Sequence, residues 1–441
     1  MVEIQIPEKV NKIIQTLQEH GYEAYAVGGC VRDSFLGREP MDWDITTSAM
    51  PEETKALFPH TFDTGIEHGT ITVLLDHEGF EVTTYRVDGK YEDSRHPKEV
   101  IFVRNLKEDL LRRDFTINAM AYNEKEGLVD IFGGMDDLKA GIIRCVGNAQ
   151  ARFSEDALRI LRGIRFAAQL GFELEDETRE GMRLLAPTLR KISAERIQVE
   201  LVKTLTSSRP DLLREAWKLG ITKEFLPEFD LAMETTQETV HHMYTVGEHI
   251  LHTLLEVRPD RILRLTMLLH DIGKPYMKTM DADGVAHFKG HPEKSSELAN
   301  EILHRLKFDN DTIRKVTKLV RYHDHRMPVT PAHVRRAIHE IGEDLFPLYL
   351  EVRRADVSAQ SMYQREEKVA DIDGVEKLYH EIMERNECVS LKMLAVTGKD
   401  LIAAGMKPGK EIGQMLEHFL DLVLEHPELN QKEELLKRIE L

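Results

Sequence analysis

The sequence predicts an α+β chain of several domains: a mixed α/β head, then helical segments to the C-terminus. Three observations predict this. Runs that favour β structure, Tyr25–Val27, Asp42–Thr46, Gly69–Leu75 and Phe80–Tyr85, crowd near the N-terminus. Further on, apolar residues recur at helical spacing, as in Leu158, Leu161, Ile164 and Ala168. The length, 441 residues, exceeds what one core organises, so about three domains are expected.

Composition narrows the class. Hydrophobic residues make up 41% and charged residues 31%, as in soluble globular chains. No apolar run approaches the ~18 residues of a membrane span. The first residues carry no basic region and no long apolar core, so no signal peptide and a cytoplasmic setting are expected. Three cysteines stand far apart without a CxxC pair, which fits reduced thiols. The net charge of −18 argues against indiscriminate polyanion binding. It leaves room for an RNA partner if basic groups cluster, and arginines are dense between Arg144 and Arg196. Low-complexity tracts and short-period repeats are absent.

The elements follow in order. Residues 7–20 read as an amphipathic helix with Val10, Ile13, Ile14 and Leu17 on one face. Tyr25–Val27 then runs into Gly28-Gly29-Cys30-Val31-Arg32-Asp33, and after a polar segment comes Met41-Asp42-Trp43-Asp44-Ile45-Thr46. If Asp42–Thr46 is a strand, Asp42 and Asp44 share a face with Cα atoms roughly 7 Å apart. Two acids so placed suit a two-metal phosphoryl-transfer site. The glycines let backbone N–H groups approach a triphosphate, and Arg32 supplies a fixed charge. The bland alternative is a strand, a tight turn and a polar edge strand. Ser48 is expected to cap a helix at Pro51–Leu57. Glu81, in Phe80–Tyr85, faces solvent or joins the metal site; periodicity favours solvent. The Gly- and Pro-punctuated stretch from Arg86 to Pro97 reads as a mobile loop.

Gly28–Asp33 joined to Asp42–Thr46 resembles the nucleotidyltransferase signature of the polymerase-β superfamily. In particular it is similar to bacterial class II tRNA nucleotidyltransferases and poly(A) polymerases. The resemblance implies a polymerase-β-like head and turns Glu81 into a third metal-site carboxylate. It matches the loop at 86–97 to the family's flexible loop, whose usual basic pair is Arg95-His96 here. Arg112-Arg113-Asp114-Phe115-Thr116-Ile117-Asn118-Ala119 reproduces another family motif. Arg113 would contact phosphate or ribose, and Asp114 would hold that arginine or meet a ribose hydroxyl. Val129-Asp130-Ile131-Phe132-Gly133-Gly134 resembles the turn joining head to neck, with Ile131 where proline is usual.

Ser154–Phe166 reads as one capped helix with an acidic first turn. Asp156, Arg159, Arg162 and Arg165 lie three apart and form a second stripe. The alternative is a solvated face with an i,i+3 pair, but three arginines on one stripe repel without an anionic partner. An acceptor, Asp156, beside a donor, Arg159, fits the edge shared by C and A and mismatches U and G. Arg162 and Arg165 would hold phosphates or orient Asp156. Glu155–Arg159 resembles the family's base-recognition motif, and Glu195–Leu201 the motif read as support for that helix.

From about Thr236 histidines accumulate: His241-His242, His270-Asp271, His287, His291 and His323-Asp324, with Asp356 downstream. A His-Asp pair ending an apolar helix, with a further His before and an Asp after, makes a metal-ligand set. It resembles an HD phosphohydrolase domain. The resemblance implies a divalent metal, a transition metal among the candidates, on His242, His270, Asp271 and Asp356. His291, His323 and Asp324 would extend the site. The last segment, Val396–Gly413, reads as two short helices around Pro408-Gly409, either packing or contacting an RNA backbone.

The expected organisation is a head at 1–145, a helical neck with the base-reading helix and an RNA-binding region at 146–230, an HD body at 231–365 and a tail at 366–441. The resemblance implies Mg²⁺-dependent transfer of CMP and AMP from CTP and ATP to the 3′ end of tRNA. Asp42, Asp44 and Glu81 would be catalytic; Gly29, Arg32, Arg113, Asp156, Arg159, Arg162 and Arg165 would bind the nucleotide. Partial enzymes adding only A or only CC, a poly(A) polymerase, and an HD phosphohydrolase with an RNA-binding head stay open. No membrane or protein partner is indicated.

Overall fold

In the computed structural model, residues 4–88 and 100–439 are described; Arg95-His96 lies outside them. The first strands are β1 (Ala24–Val27), β2 (Ile45–Thr47), β3 (Thr61–Gly65), β4 (Thr70–Leu75), β5 (Glu78–Thr84), β6 (Arg86–Asp88), β7 (Val100–Phe102), β8 (Met120–Asn123) and β9 (Gly127–Asp130), and a short parallel pair follows at Ile142–Ile143 and Glu173–Leu174. Seven build one sheet in the order β3-β4-β5-β2-β1-β8-β9, while β6 pairs separately with β7. Within that sheet the contacts are antiparallel except β2 with β5, which run parallel with Ile45 opposite Val82. β1 is central and buried along its whole length, so it reads as an apolar run rather than an alternation. β5 alternates, burying Phe80, Val82 and Thr84 and exposing Glu81.

Helix α1 (Glu8–Glu19) buries Val10, Ile13, Ile14 and Leu17, as its periodicity requires. α2 (Gly29–Phe35) starts on the second glycine of the turn. α3 (Pro51–Leu57) departs from expectation at its cap. Ser48 instead accepts the Glu23 N–H at 2.8 Å, and the Glu53 carboxylate accepts the Met50 N–H at 2.7 Å. Pro51 opens the helix, so the cap position falls on Met50. α4 (Leu106–Leu111) precedes the Arg112–Ala119 motif. α5 (Gly134–Ala140) is capped by Asp130, which accepts the N–H groups of Gly134 and Met135 at 2.8 Å each. A Cβ on Gly134 would lie 2.2 Å from the Thr116 carbonyl oxygen, so only glycine lets α5 sit on the Thr116–Asn118 turn.

The neck holds α6 (Ala149–Glu155), α7 (Leu158–Leu170), α8 (Asp176–Leu185), α9 (Ala194–Leu205) and α10 (Leu213–Lys218). Leu158, Leu161, Ile164 and Ala168 are buried, as the stripe predicts. Residues Met1–Pro227 form one compact unit and Glu228–Leu441 another; α11 (Pro227–Glu234) begins at the division.

The C-terminal unit is helical, apart from a short antiparallel pair at Thr279–Met280 and Ala286–His287. Its helices are α12 (Val246–Glu256), α13 (Arg261–Leu269), α14 (Lys274–Met277), α15 (His291–Arg305), α16 (Asn310–Tyr322), α17 (Pro331–Ile341), α18 (Phe346–Ser358), α19 (Arg365–Glu384), α20 (Gly398–Ala403), α21 (Lys410–Glu425) and α22 (Lys432–Leu436). Leu401, Phe419, Leu420, Val423, Leu424 and Leu435 form the tail's own core. Buried Arg335 closes the end of α21 by donating to the carbonyls of Leu424 and Glu425, and pairs with Glu387 at 2.7 Å. Lys399, Lys407 and Lys410 stay exposed beside the Pro408-Gly409 turn. No helix among the described residues is long and apolar enough to cross a membrane.

Candidate active site

The chain turns sharply where β1 ends. Gly28 takes φ +84°, and a Cβ there would meet the Arg113 guanidinium at 3.1 Å. Glycine therefore both permits the turn and lets Arg113 close on it. On the adjoining strand the Asp44 carbonyl accepts the Val27 N–H at 3.0 Å. Regular β2 starts only at Ile45, so Asp42 and Asp44 stand in the extended approach to the strand rather than inside it. Both open into a cleft of about 1020 Å³, lined also by Gly29, Arg32, Arg113, Asp156, Arg159, Arg162 and Arg165. Of the residues predicted for this site, Glu81 alone is outside the lining. It is exposed on β5, one residue before Val82, the partner of Ile45.

These acids fit a cation. Among the described residues, the side chains of Asp42, Asp44 and Glu81 make no hydrogen bond or salt bridge. The loss of water around Asp44 pushes its carboxyl above the usual carboxylate range; Arg113 opposes the shift and Asp42 adds to it.

Asp33, Asp114 and Asp156 of the cleft are engaged. Arg32 donates to Asp33 through Nε and Nη2, both at 2.9 Å, and through Nη1 to Asn118 Oδ1 at 2.6 Å. The Asn118 amide donates to Asp114 at 3.2 Å, and Asp114 Oδ2 receives Arg162 at 2.7 Å. Arg165 pairs with Glu200 of α9 at 2.5 Å. Asp109 is fully buried under the arginine pair: it receives Arg112 at 2.7 Å, Arg113 at 3.4 Å and the Thr46 hydroxyl at 3.1 Å. That last contact ties the arginine motif to β2, two residues beyond Asp44.

Several expectations change. The helix expected from Ser154 to Phe166 breaks at Asp156, which is extended at φ −138° and ψ 106°. Its Oδ1 accepts the Leu158 N–H at 3.0 Å, so the aspartate caps α7 instead of continuing α6. The i,i+3 pair with Arg159 does not form. Arg159 takes Glu155 at 2.6 Å and donates to the carbonyls of Arg152 and Arg112. Asp156 is oriented by Arg196 of α9, at 2.8 Å, rather than by Arg162 or Arg165. Asp114 holds Arg162, whereas Arg113 leans on Asp109. Sequence reasoning missed Asp109, Asn118 and Phe166. The first was legible as an acid three and four residues before the arginine pair.

Asp114 also carries stability. Burial disfavours its ionised form, but the charge and hydrogen bond of Arg162, with those of Asn118 and the Phe115 N–H, bring its pKa to about 2. A lowered carboxyl stabilises the fold fully above its unfolded value near 3.8 and loses that contribution as pH falls through about 2. The contribution is about 2 kcal/mol. Asp114→Asn is therefore expected to melt below the wild type at neutral pH, with the gap closing between about pH 4 and pH 2. Thermal melts across that range check it, and a pH-independent gap would contradict the linkage.

Comparison with known proteins identifies the family. Residues 24–144 match the poly A polymerase head domain. Further models of the polymerase A RNA-binding region and of tRNA nucleotidyltransferase domain 2 match residues 171–233 and 287–439. The chain is 35% identical over 435 residues to the CCA-adding enzyme of Limosilactobacillus reuteri, covering 98% of this chain and 96% of that one. Identity to the CCA-adding enzyme of Levilactobacillus brevis is 36% over 410 residues, 93% and 91% of the two chains. The chain belongs to the CCA-adding enzyme family. Among solved structures, the Bacillus stearothermophilus CCA-adding enzyme in complex with CTP superposes with a TM-score of 0.71 at 28% identity, over 98% of both chains. The Thermotoga maritima CCA-adding enzyme complexed with tRNA shares the fold, with a TM-score of 0.61 at 22% identity over 99% and 97% of the chains.

This CCA-adding family member is a nucleotidyltransferase, and its family uses a divalent metal. Its C-terminal unit gathers a second cluster. His249, His270 and Asp271 meet within ligand distance of one another, as do Asp271, His291 and His323. Asp356 receives His249 Nε2 at 2.9 Å. The Nδ1 atoms of His270, His291 and His323 donate to the carbonyls of Met267, Phe288 and Val320 at 2.6–2.8 Å. With Nδ1 so engaged, the Nε2 atoms of His270, His291 and His323 face Asp271 at 3.3–3.5 Å. Asp271 Oδ2 lies 2.7 Å from the Lys274 ammonium, yet both its oxygens are buried without an aligned hydrogen bond.

The expected upstream ligand, His242, is outside this cluster. It precedes α12, its Nε2 lies 3.4 Å from Lys274, and its ring rests edge-on against His249. Burial and the nearby Lys274 lower its pKa to about 2. His249 is fully buried on α12, along with Val246, Gly247, Ile250, Leu251, Thr253 and Leu254. Asp324 turns instead to Arg326 and Arg353, and His287 to Asp281.

Proposed function

We propose that the head-and-neck cleft takes CTP or ATP and transfers CMP or AMP to the 3′ end of tRNA, with Mg²⁺ on Asp42, Asp44 and Glu81. The observation that carries this reading is a single cleft lined both by the partnerless carboxylates of Asp42 and Asp44 and by Asp156 and Arg159. Bound there, the ions would acidify the attacking hydroxyl and neutralise the departing pyrophosphate. The chain supplies the rest. The Gly28-Gly29 turn admits the triphosphate, with Arg32 and Arg113 beside it. Arg162 and Arg165, each set by an acid from another element, hold the nucleotide further along. Asp156 accepts from the exocyclic amine that C and A share, and Arg159 donates to the bare ring nitrogen. The CTP and tRNA complexes of the relatives support these substrates. Three buried, free cysteines fit a cytoplasmic setting.

The experiment uses tRNA transcripts lacking A, CA or CCA, each with one labelled nucleotide at a time. Complete CCA addition requires C on the two shorter ends and A on the longest. Addition of A alone, of C alone, or of long A tracts would replace this reading with a partial enzyme or a poly(A) polymerase.

A second reading applies to the C-terminal unit and rests on its inward-facing Nε2 atoms and unsatisfied carboxylate. His249, His270, Asp271 and Asp356 would hold a divalent transition metal, with His291 and His323 extending the site, for hydrolysis of a phosphate ester. Asp271→Asn is expected to lose bound metal by elemental analysis and to lose cyclic-nucleotide or phosphomonoester hydrolysis. Nucleotide addition should continue at the wild-type rate. Equal loss of addition in a folded variant would count against two independent centres.

A further inference from the structure

We infer that Phe166 is a positioning residue for nucleotide binding: its ring seats the guanidinium groups of Arg32, Arg162 and Arg165 together. The inference rests on the cleft reading above and extends it to an apolar residue of the lining. The guanidinium carbons of Arg165, Arg32 and Arg162 lie 3.9, 5.1 and 5.3 Å from the centre of this one ring. The ring lines the cleft and is 5% exposed. An edge-to-face contact with Phe115, at 5.8 Å and 80°, holds its plane.

Three like charges gathered at one place repel. Each has its own acid, in Asp33, Asp114 and Glu200. Helix α7 spaces Arg162 and Arg165, and the ring of Phe166 gives them a common seat with Arg32. Its quadrupole attracts each cation, most strongly where burial removes water. Arg32 comes from α2, beside the glycine turn, while Arg162 and Arg165 come from α7. The ring thus couples the arginine beside the glycine turn to the two arginines of the helix that Asp156 opens.

A nucleotide triphosphate is bound by charges in register, so loosening their seat weakens binding of every nucleotide alike. The base-reading pair is untouched, and the preference for C and A over U and G should persist.

The test is a Phe166→Leu variant of the full chain beside Phe166→Tyr and a series with one, two and three fluorines on the ring. Fluorination keeps the ring's shape and weakens cation binding. The expected result is a KM for CTP and ATP raised about tenfold in the leucine variant, a stepwise rise along the fluorinated series, and near wild-type KM with tyrosine. Turnover and C/A preference should change much less than KM. If KM stays constant along the fluorinated series, or only melting temperature and kcat move, Phe166 is packing and the inference is overturned. Should the leucine variant fail to fold, the fluorinated series decides. Failure of the unsubstituted chain to add any nucleotide would instead remove the cleft reading itself.

Discussion

Asp44→Ala, and likewise Asp42→Ala, is expected to lower single-turnover nucleotide addition by more than about 10³-fold, the scale of removing a group that stabilises transition-state charge. Binding of tRNA should stay within a few-fold of wild type, because the arginines that line the cleft are unchanged. Stability supplies an independent signature. The Asp44 carboxyl is raised by desolvation and by Asp42, against the pull of Arg113. An acid raised on folding destabilises the native state at neutral pH and less so as pH falls toward that raised value. The isosteric Asp44→Asn should therefore keep the melting temperature close to wild type while abolishing addition. Wild-type addition by any of these variants would sink the metal-site assignment. Lost activity with a lowered melting temperature would point to a structural carboxylate instead.

The second large effect concerns nucleotide choice. Combining Asp156→Asn with Arg159→Gln should shift kcat/KM toward UTP and GTP by about 10²-fold relative to CTP and ATP. Each mispaired contact costs about 1–3 kcal/mol, and two contacts are altered. The amide introduced by Asp156→Asn would retain an oxygen to cap α7 at Leu158, so the helix start should survive. The Arg159 change is harsher: it removes the donor to Glu155 and to the carbonyls of Arg152 and Arg112. Single variants and melting curves separate that cost from selection. The measurement is one-nucleotide incorporation, for all four nucleotides, on a tRNA ending before the first C. A uniform loss would mean that Asp156 and Arg159 brace the fold or hold phosphate, and base choice would have to lie elsewhere.

The residues themselves determined whatever depends on neighbours in the chain. The glycine turn, the acids flanking β2, the arginine motif and the apolar faces of α1 and α7 follow from local geometry and period. Glu81 was harder. Alternation made it exposed, and the parallel β2–β5 register places it one residue before the partner of Ile45, outside the cleft lining. Tertiary structure alone decided which acid serves which arginine. Asp114 reaches Arg162, Glu200 reaches Arg165 and Arg196 reaches Asp156 because α7 packs between the head motif and α9. Such pairs join distant stretches, and an arginine stripe read by period carries no record of its partners. The break at Asp156 was open for a related reason: the same aspartate can continue a helix or cap the next, and the cap prevails where Arg196 anchors its other oxygen. In the C-terminal unit a cluster of His and Asp was visible in the chain. The choice of His249 over His242 came from packing, which turns one face of α12 onto Asp271 and Asp356 and leaves His242 ahead of the helix.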